Sequence, residues 1–264
     1  MKFSIITVCF NAGNKLIKTV ESALAQSFTD YEIIIKDGGS TDGSLSKLPS
    51  DDRIRVIERE DSGIYDAMNQ AVAEAKGEYI YFLNCGDYFF DDDNLKKVSV
   101  FISENNNPGI VYGNIFERST SCLVQSNPSL NEFGCYRNVP CHQACFYKAN
   151  LFEERGFDIK YKVRADYEHF IWCMYKTDNP VTPKYLEWII ASYEGGGFSE
   201  INNKLSAIEH KEITLKYFGK QNCFKYKMIL LLTLAPLRTK IASFGPTAVV
   251  YNGLKKIIYQ KRNR

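Results

Sequence analysis

The run Tyr79-Ile-Tyr-Phe-Leu-Asn-Cys-Gly-Asp87 limits the folds open to this chain more than any other stretch. Its first six residues are apolar or aromatic apart from Asn84, and none is Gly, Pro or Lys. That is the composition of a strand buried on both faces. The apolar character stops at Asn84, and a Cys-Gly turn carries the chain to the carboxylate of Asp87. In an open α/β sheet, ligands lie beyond the carboxyl ends of the strands. A lone Asp there, after a Gly that admits close approach, suits a divalent cation or a phosphate-bearing ligand. A strand followed by a solvated turn is the plain alternative.

The flanking sequence repeats the pattern. Phe3 to Cys9 is β-rich and is closed by Asn11-Ala-Gly; Leu16, Ile17, Val20, Ala23 and Leu24 then recur at helical spacing. Tyr31 to Ile35 predicts a second strand ending at Lys36-Asp37, before a Gly38-Gly-Ser-Thr-Asp-Gly-Ser44 turn with helix-capping chemistry. Ile54 to Ile57 predicts a third strand and Tyr65 to Ala75 a helix, with Gly77 at its C-terminal cap. Strands alternating with helices imply a parallel sheet with right-handed crossovers. The pattern loosens after Asp87. A helix is expected over Asp93 to Ser103, strands over Gly109 to Phe116, Cys122 to Ser126, His142 to Tyr147 and Lys184 to Tyr193, and helices over Ala165 to Tyr175 and Ile201 to Tyr217. The expected division is 1–200, with a nucleotide-binding half of about 1–90 and an acceptor half of about 91–200, followed by a basic helical extension over 201–264.

At 264 residues, 45% hydrophobic and 24% charged, the composition is that of an ordinary globular chain. The formal charge of +2 hides an asymmetry: 208–264 carries +10, which leaves −8 for the remainder. Eight cysteines without a Cys-x-x-Cys pair, and only His142, His169 and His210, give no zinc pattern. Met1 leads straight into a strand-like run, so no secretory signal is expected, and reduced cytosolic thiols are the simplest account of the cysteines.

Parallel strands share a direction, so the ends at Asn11, Asp37 and Asn84 to Asp87 should meet on one edge of the sheet, a plausible nucleotide crevice. Asp37 is placed to accept from a base N–H, beside a Gly38-Gly39 backbone that admits close approach; capping a helix is its alternative role. Neither a Gly-x-Gly-x-x-Gly after the first strand nor a Gly-Lys-Ser/Thr phosphate loop is present, which disfavours dinucleotide oxidoreductases and P-loop ATPases.

Four segments, Ser4-Ile-Ile-Thr-Val-Cys-Phe-Asn11, Asp37-Gly-Gly-Ser-Thr-Asp-Gly-Ser44, Asp61-Ser-Gly-Ile-Tyr-Asp-Ala-Met-Asn69 and Phe82-Leu-Asn-Cys-Gly-Asp87, resemble successive motifs of glycosyltransferase family 2, of the bacterial surface-polysaccharide and O-antigen type. The resemblance covers Lys2 to about Gly197. It implies an α/β GT-A fold, Rossmann-like, with a mostly parallel open sheet and helices on both faces, and an inverting hexosyl transfer. It also implies a nucleotide-sugar donor, a UDP-sugar first, and Mn²⁺ or Mg²⁺. By the same resemblance Thr7, Asn11, Asp37, Gly39, Asp66 and Asn84 bind the donor, and Asp87 is the carboxylate offered to the metal. Asn84 stands where the family usually has an acid, so the metal would lean on the donor's own phosphates. Asp166, in Ala165-Asp-Tyr-Glu-His169, matches the family's general base, with Glu168 as fallback; an acid serving the helix dipole is the competing role. His142 matches a position near diphosphate or acceptor, and Gly195, Gly196 and Gly197 match a loop closing over both.

The tail adds a partner. Met228 to Leu237 is apolar but too short to span a bilayer, Lys225, Lys227, Arg238 and Lys240 flank it, and Ala248 to Tyr259 ends in Lys261-Arg262-Asn-Arg264. Such segments suit an anionic membrane surface on the inner face of the cytoplasmic membrane, or packing on the protein itself. The family's lipid-linked saccharide acceptors fit the first reading. Basic residues that interleave with aliphatics argue against nucleic acid, and the oligomeric state is open. A sugar-nucleotide nucleotidyltransferase and a decayed nucleotide-binding protein are the other function classes.

Overall fold

A computed structural model of the chain describes residues 1–233. The chain divides into two compact units, Met1–Lys211 and Glu212–Arg264. The expectations for the tail beyond residue 233 lie outside the described residues.

The first unit opens with strand β1 (Phe3–Cys9), helix α1 (Asn14–Leu24), strands β2 (Tyr31–Asp37) and β3 (Ile54–Glu58), helix α2 (Ile64–Val72) and strand β4 (Tyr79–Phe82). β1 lies between β2 and β4, parallel to both, with Phe3 opposite Tyr31 and Tyr79. β2 and β4 are buried throughout, and β1 nearly so, as their unbroken apolar runs require. Among the described residues β3 pairs only with β2 and is nowhere fully buried, and its Arg55 and Glu58 discourage pairing with another chain.

The rest of this unit adds β5 (Tyr88–Phe89), α3 (Asn94–Glu104), β6 (Ile110–Glu117), β7 (Cys122–Val124), α4 (Glu132–Arg137), β8 (Cys145–Lys148), α5 (Asn150–Glu154), α6 (Ala165–Tyr175), β9 (Lys184–Tyr193) and α7 (Phe198–Ile201). The strands form one sheet in the order β3-β2-β1-β4-β8-β6-β9-β5, with β7 on β6. The first four are parallel; β8 then runs antiparallel to both β4 and β6, and β9 is parallel to β6. The α/β class stands, with an all-parallel first half and a second half in which only β6 and β9 pair in parallel. α1 and α3 supply Leu16, Val20, Leu95 and Val98 to a core that includes Ile5, Ile33, Tyr81 and Phe146. The Tyr81 ring stacks on Phe146 at 4.4 Å and on Phe89 at 5.1 Å, joining the two halves of the sheet.

Some elements differ from the sequence reading. α2 ends at Val72 with Ala73 as its cap, so Gly77 is not a capping glycine. A Cβ on Gly77 would lie 2.3 Å from the Ser4 nitrogen, and close packing of backbone on backbone is what requires glycine there. β4 stops at Phe82; the Leu83 N–H makes a last bond to the Ile6 carbonyl of β1, and Asn84 to Asp87 leave as a loop. His142–Ala144 is a single 3-10 turn rather than strand, because Pro140 precedes it and pairing with β4 and β6 starts only at Cys145. α4 and α5, six and five residues long, are too short to show a helical period in the sequence. The last helical segment among the described residues, α8 (Asn203–Leu232), extends past Tyr217 and is broken at the non-helical Gly219 (φ 73°, ψ 166°).

Candidate active site

The start of α2, the loop after β4, the end of β6, α4, the 3-10 turn at His142, the start of α6 and the end of β9 surround one cleft of about 640 Å³. Asn84, Asp87, His142, Asp166 and Gly195 to Gly197 all line it. Thr7, Asn11, Asp37, Gly39, Asp66 and Glu168 do not.

Asp166 sits in the first turn of α6, its side chain about a quarter exposed. Its Oδ1 accepts from the Tyr65 hydroxyl at 2.8 Å and from the Tyr167 N–H at 2.8 Å, whereas Oδ2 faces only His142 Nδ1 at 3.0 Å. The single Tyr65 hydroxyl proton is shared with the Val163 carbonyl at 2.9 Å; Oδ1 is the more crowded oxygen and Oδ2 keeps a lone pair. Burial raises the Asp166 pKa, but the bonds from His142, Tyr65 and the Tyr167 backbone outweigh it and hold the carboxyl below its ordinary range. The other imidazole nitrogen, Nε2, lies 3.0 Å from Asn84 Nδ2. An amide donor there makes Nε2 the acceptor and leaves the proton on Nδ1, directed at Asp166, a tautomer assigned from the network.

Asp87 is nearly fully buried and held from both sides. Oδ1 accepts from the Glu194 N–H at 2.8 Å and Oδ2 from Gln143 Nε2. Burial pushes its carboxyl up to about 6, with the Glu194 N–H pulling against that rise. The loop before it is pinned by Arg118, which donates to the Gly86 carbonyl, and by the Gly86 N–H, which donates to Thr19 Oγ1 at 2.9 Å. Lys15 and Glu194 form an ion pair of 2.6 Å between α1 and the glycine loop.

Among the described residues, no group of three or more His, Cys, Asp and Glu is gathered to hold a metal ion. The oxygens present do fit a cation shared with a phosphate ligand. Asn84 Oδ1 is buried and has no hydrogen-bond partner, and each Asp87 oxygen accepts one hydrogen bond and keeps a lone pair.

The remaining candidates serve the frame. Thr7 Oγ1 donates to the Leu83 carbonyl at 2.8 Å and ties β1 to the end of β4. Asp37 is buried; Oδ2 accepts from the Gly39 and Ser40 N–H groups, and Oδ1 from Ser40 Oγ and Cys9 Sγ. Burial raises its pKa, but these bonds carry it below the usual value. Both oxygens are committed to the turn, so a base would meet that turn's outer surface rather than a free carboxylate. Gly39, at φ +100°, makes the turn possible. Asn11 Oδ1 accepts from the Thr41 N–H and joins the loops after β1 and β2. Asp66 accepts from the Ser62 N–H and hydroxyl at the start of α2. Glu168 is fully buried and paired with Arg155 at 2.5 Å, which removes it as a fallback base.

Sequence reasoning missed Tyr65, Gln143 and Glu194. The first two adjoin residues it chose, Asp66 and His142; Glu194 precedes the three glycines.

The family model described as "Glycosyl transferase family 2" matches residues 4–176. A protein of Mycobacterium bovis named "PGL/p-HBAD biosynthesis glycosyltransferase" is 36% identical over 205 residues, 75% of this chain and 78% of that protein. Among solved structures, Staphylococcus aureus TarS 1-349 in complex with UDP-GlcNAc has a TM-score of 0.59 at 17% identity, covering 82% of this chain and 71% of that one. The mannosyltransferase PcManGT from Pyrobaculum calidifontis, in complex with GDP-Man and Mn²⁺, has a TM-score of 0.64 at 15% identity, covering 97% and 80%.

Proposed function

The chain belongs to glycosyl transferase family 2 and is a glycosyltransferase of GT-A fold, and from that premise we propose that it moves a sugar, with inversion, from a nucleotide-sugar donor to a lipid-linked saccharide in cell-surface polysaccharide synthesis. The observation that carries this reading is the separation of two carboxylates within one cleft. Asp166 is held ionised with one lone pair free, while Asp87 is buried beside an unpartnered amide oxygen. One suits proton removal and the other suits a metal-bound diphosphate.

In this reading Asp166 Oδ2 takes the acceptor hydroxyl's proton as that oxygen attacks the anomeric carbon, and the carbon–oxygen bond to the nucleoside diphosphate breaks on the opposite face. His142 and Tyr65 fix the carboxylate's orientation. Asp87 and Asn84 Oδ1 would hold Mn²⁺ or Mg²⁺, which when bound offsets charge on the leaving diphosphate. The donor is assigned to residues 1–90 and the acceptor to 91–200, with the turns at Asn11, Gly39 and Asp66 shaping the donor's surroundings. A UDP-sugar is the first donor to try, on the strength of the TarS complex; the GDP-Man complex of PcManGT keeps guanine in the screen.

The extension, 201–264, is assigned to an anionic membrane surface. Among the described residues no helix is long and apolar enough to cross a membrane. In the second unit Phe224, Met228, Leu231 and Leu232 are exposed and recur at helical spacing, with Lys220, Lys225 and Lys227 nearby. That pattern supports an interfacial helix. Sedimentation with phosphatidylglycerol vesicles tests it, and unchanged binding after truncation at Lys220 would refute it.

The test of the activity is a screen of nucleotide sugars for metal-dependent turnover, with the product's anomeric configuration read by NMR. Asp166→Asn and Asp87→Ala should each lower transfer by roughly a hundredfold or more. Retained turnover in both variants sinks the site assignment, and retained configuration sinks inversion.

A further inference from the structure

One end of the cleft carries positive charge for which proton removal at Asp166 has no use. Arg137, the last residue of α4, is exposed on the cleft wall and makes no ion pair or hydrogen bond among the described residues. Arg164, immediately before α6, also lines the cleft. Its Nε donates to Ser206 Oγ at 2.8 Å and its Nη1 to Asn138 Oδ1 at 3.2 Å. Both partners are neutral, so the guanidinium is oriented without being neutralised. Glu209 does not pair with it, because its oxygens accept from the Lys162, Val163 and Arg164 backbone N–H groups. Asn138 adjoins Arg137 in the chain, so both arginines belong to the same stretch of the cleft wall.

We propose that Arg137 and Arg164 form an anion-binding subsite, and that the acceptor therefore carries a phosphate or similar compact anion near the hydroxyl that receives the sugar. The proposal rests on the assignment of Asp166 as the base. Two guanidinium groups without a carboxylate partner on one stretch of wall suit a multivalent oxyanion, which can accept from both. The donor's diphosphate has the same chemistry, but its place is with Asp87 and Asn84. The Arg137–Arg164 end adjoins the base, where the acceptor must lie. Leu130 and Val139 line the same stretch of wall and suit an apolar group attached to the anion.

The test is calorimetric titration of the full chain with inorganic phosphate and, separately, octyl phosphate, each with and without saturating UDP and Mn²⁺. Phosphate should bind in the presence of UDP, and Arg137→Glu should weaken it at least tenfold with the melting temperature unchanged. Tighter binding of octyl phosphate assigns the anion to a lipid-borne acceptor and equal binding to a soluble one; both uphold the subsite. Displacement of phosphate by UDP, or wild-type affinity in Arg137→Glu, overturns it. If phosphate binds through Arg137 while no nucleotide sugar is turned over, the transfer reading of the cleft fails and the subsite stands.

Discussion

His142 Nδ1 lies 3.0 Å from Asp166 Oδ2, the less crowded oxygen of that carboxylate, which keeps a lone pair for substrate. The imidazole thus orients the proposed base without taking its last acceptor site. Asp166→Asn should lower kcat by roughly 10²–10⁴, with nucleotide affinity little changed. His142→Ala should lower kcat by a smaller factor, about tenfold or more, since the carboxylate survives but swings. Steady-state kinetics beside equilibrium UDP binding separates the two effects; wild-type kcat in His142→Ala would show that the imidazole is idle.

Gln143 makes the second such contact, from its side-chain amide to Asp87 Oδ2. Its own carbonyl oxygen is held by the Cys141 thiol at 2.8 Å, and its backbone carbonyl by the Tyr81 hydroxyl. Gln143→Leu keeps the volume and removes the donor. Outer contacts of this kind typically contribute 10–100-fold in metal affinity. Mn²⁺ titration in the presence of UDP should show a loss of that order, and an unchanged titration would reduce Gln143 to packing.

Acid stability should depend on His169. It is fully buried, stacked on Phe152 at 4.5 Å, and neither ring nitrogen has a side-chain partner. Burial, reinforced by the nearby Arg155 charge, drives its pKa down to about 3. Below about 6.5 the unfolded chain binds a proton that the folded chain refuses, so stability falls as pH drops from about 6.5 toward 3, by up to about 1.4 kcal/mol per pH unit. Urea unfolding of His169→Phe across that range should show a shallower loss. Parallel curves for variant and wild type would assign acid sensitivity to other groups.

Gly77→Ala should destabilise the fold by about 1–3 kcal/mol, because the new methyl meets the Ser4 nitrogen at 2.3 Å and the Phe3 carbonyl carbon at 2.5 Å. Backbone on both sides cannot rotate away. A melting temperature equal to wild type would mean that β1 and the Gly77 segment can separate without loss.

Gly77 also marks where sequence reasoning stops. A glycine soon after an apolar-periodic segment looks like a helix cap, and only the path of β1 beside it gives the true cause. The parallel half of the fold was legible because its strands are buried on both faces and its helices are long enough to show a period. The second half was less so: β8 is four residues long and α4 six. The shared direction of parallel strands gathered Asn11, Asp37, Asn84 and Asp87 at one edge, but only Asn84 and Asp87 line the cleft, and what holds the cleft residues was not legible. Gln143 reaches Asp87 across 56 residues, the Glu194 N–H across 107 and Lys15 reaches Glu194 across 179. No local pattern records such pairings. Asp37 shows the converse, a residue rightly placed at the sheet edge whose carboxylate is spent on its own turn.

Asn84 offers the sharpest test of the proposed metal site. Its Nδ2 faces His142 Nε2, and its Oδ1 is buried with no partner. A buried unsatisfied carbonyl costs about 1–3 kcal/mol, a penalty that a cation or a donor hydroxyl would relieve on binding. Asn84→Asp replaces the neutral oxygen with a carboxylate where a second charge can meet the metal. Divalent metal sites tighten with ligand charge, so the Mn²⁺ concentration needed for half-maximal UDP binding should fall severalfold. The same change removes the amide donor to His142 Nε2, which reverses the tautomer preference that directs Nδ1–H at Asp166. Turnover at saturating Mn²⁺ should therefore fall while metal affinity rises. Unchanged metal affinity would mean that Oδ1 faces the donor's hydroxyls, and unchanged turnover would break the link from Asn84 through His142 to the base.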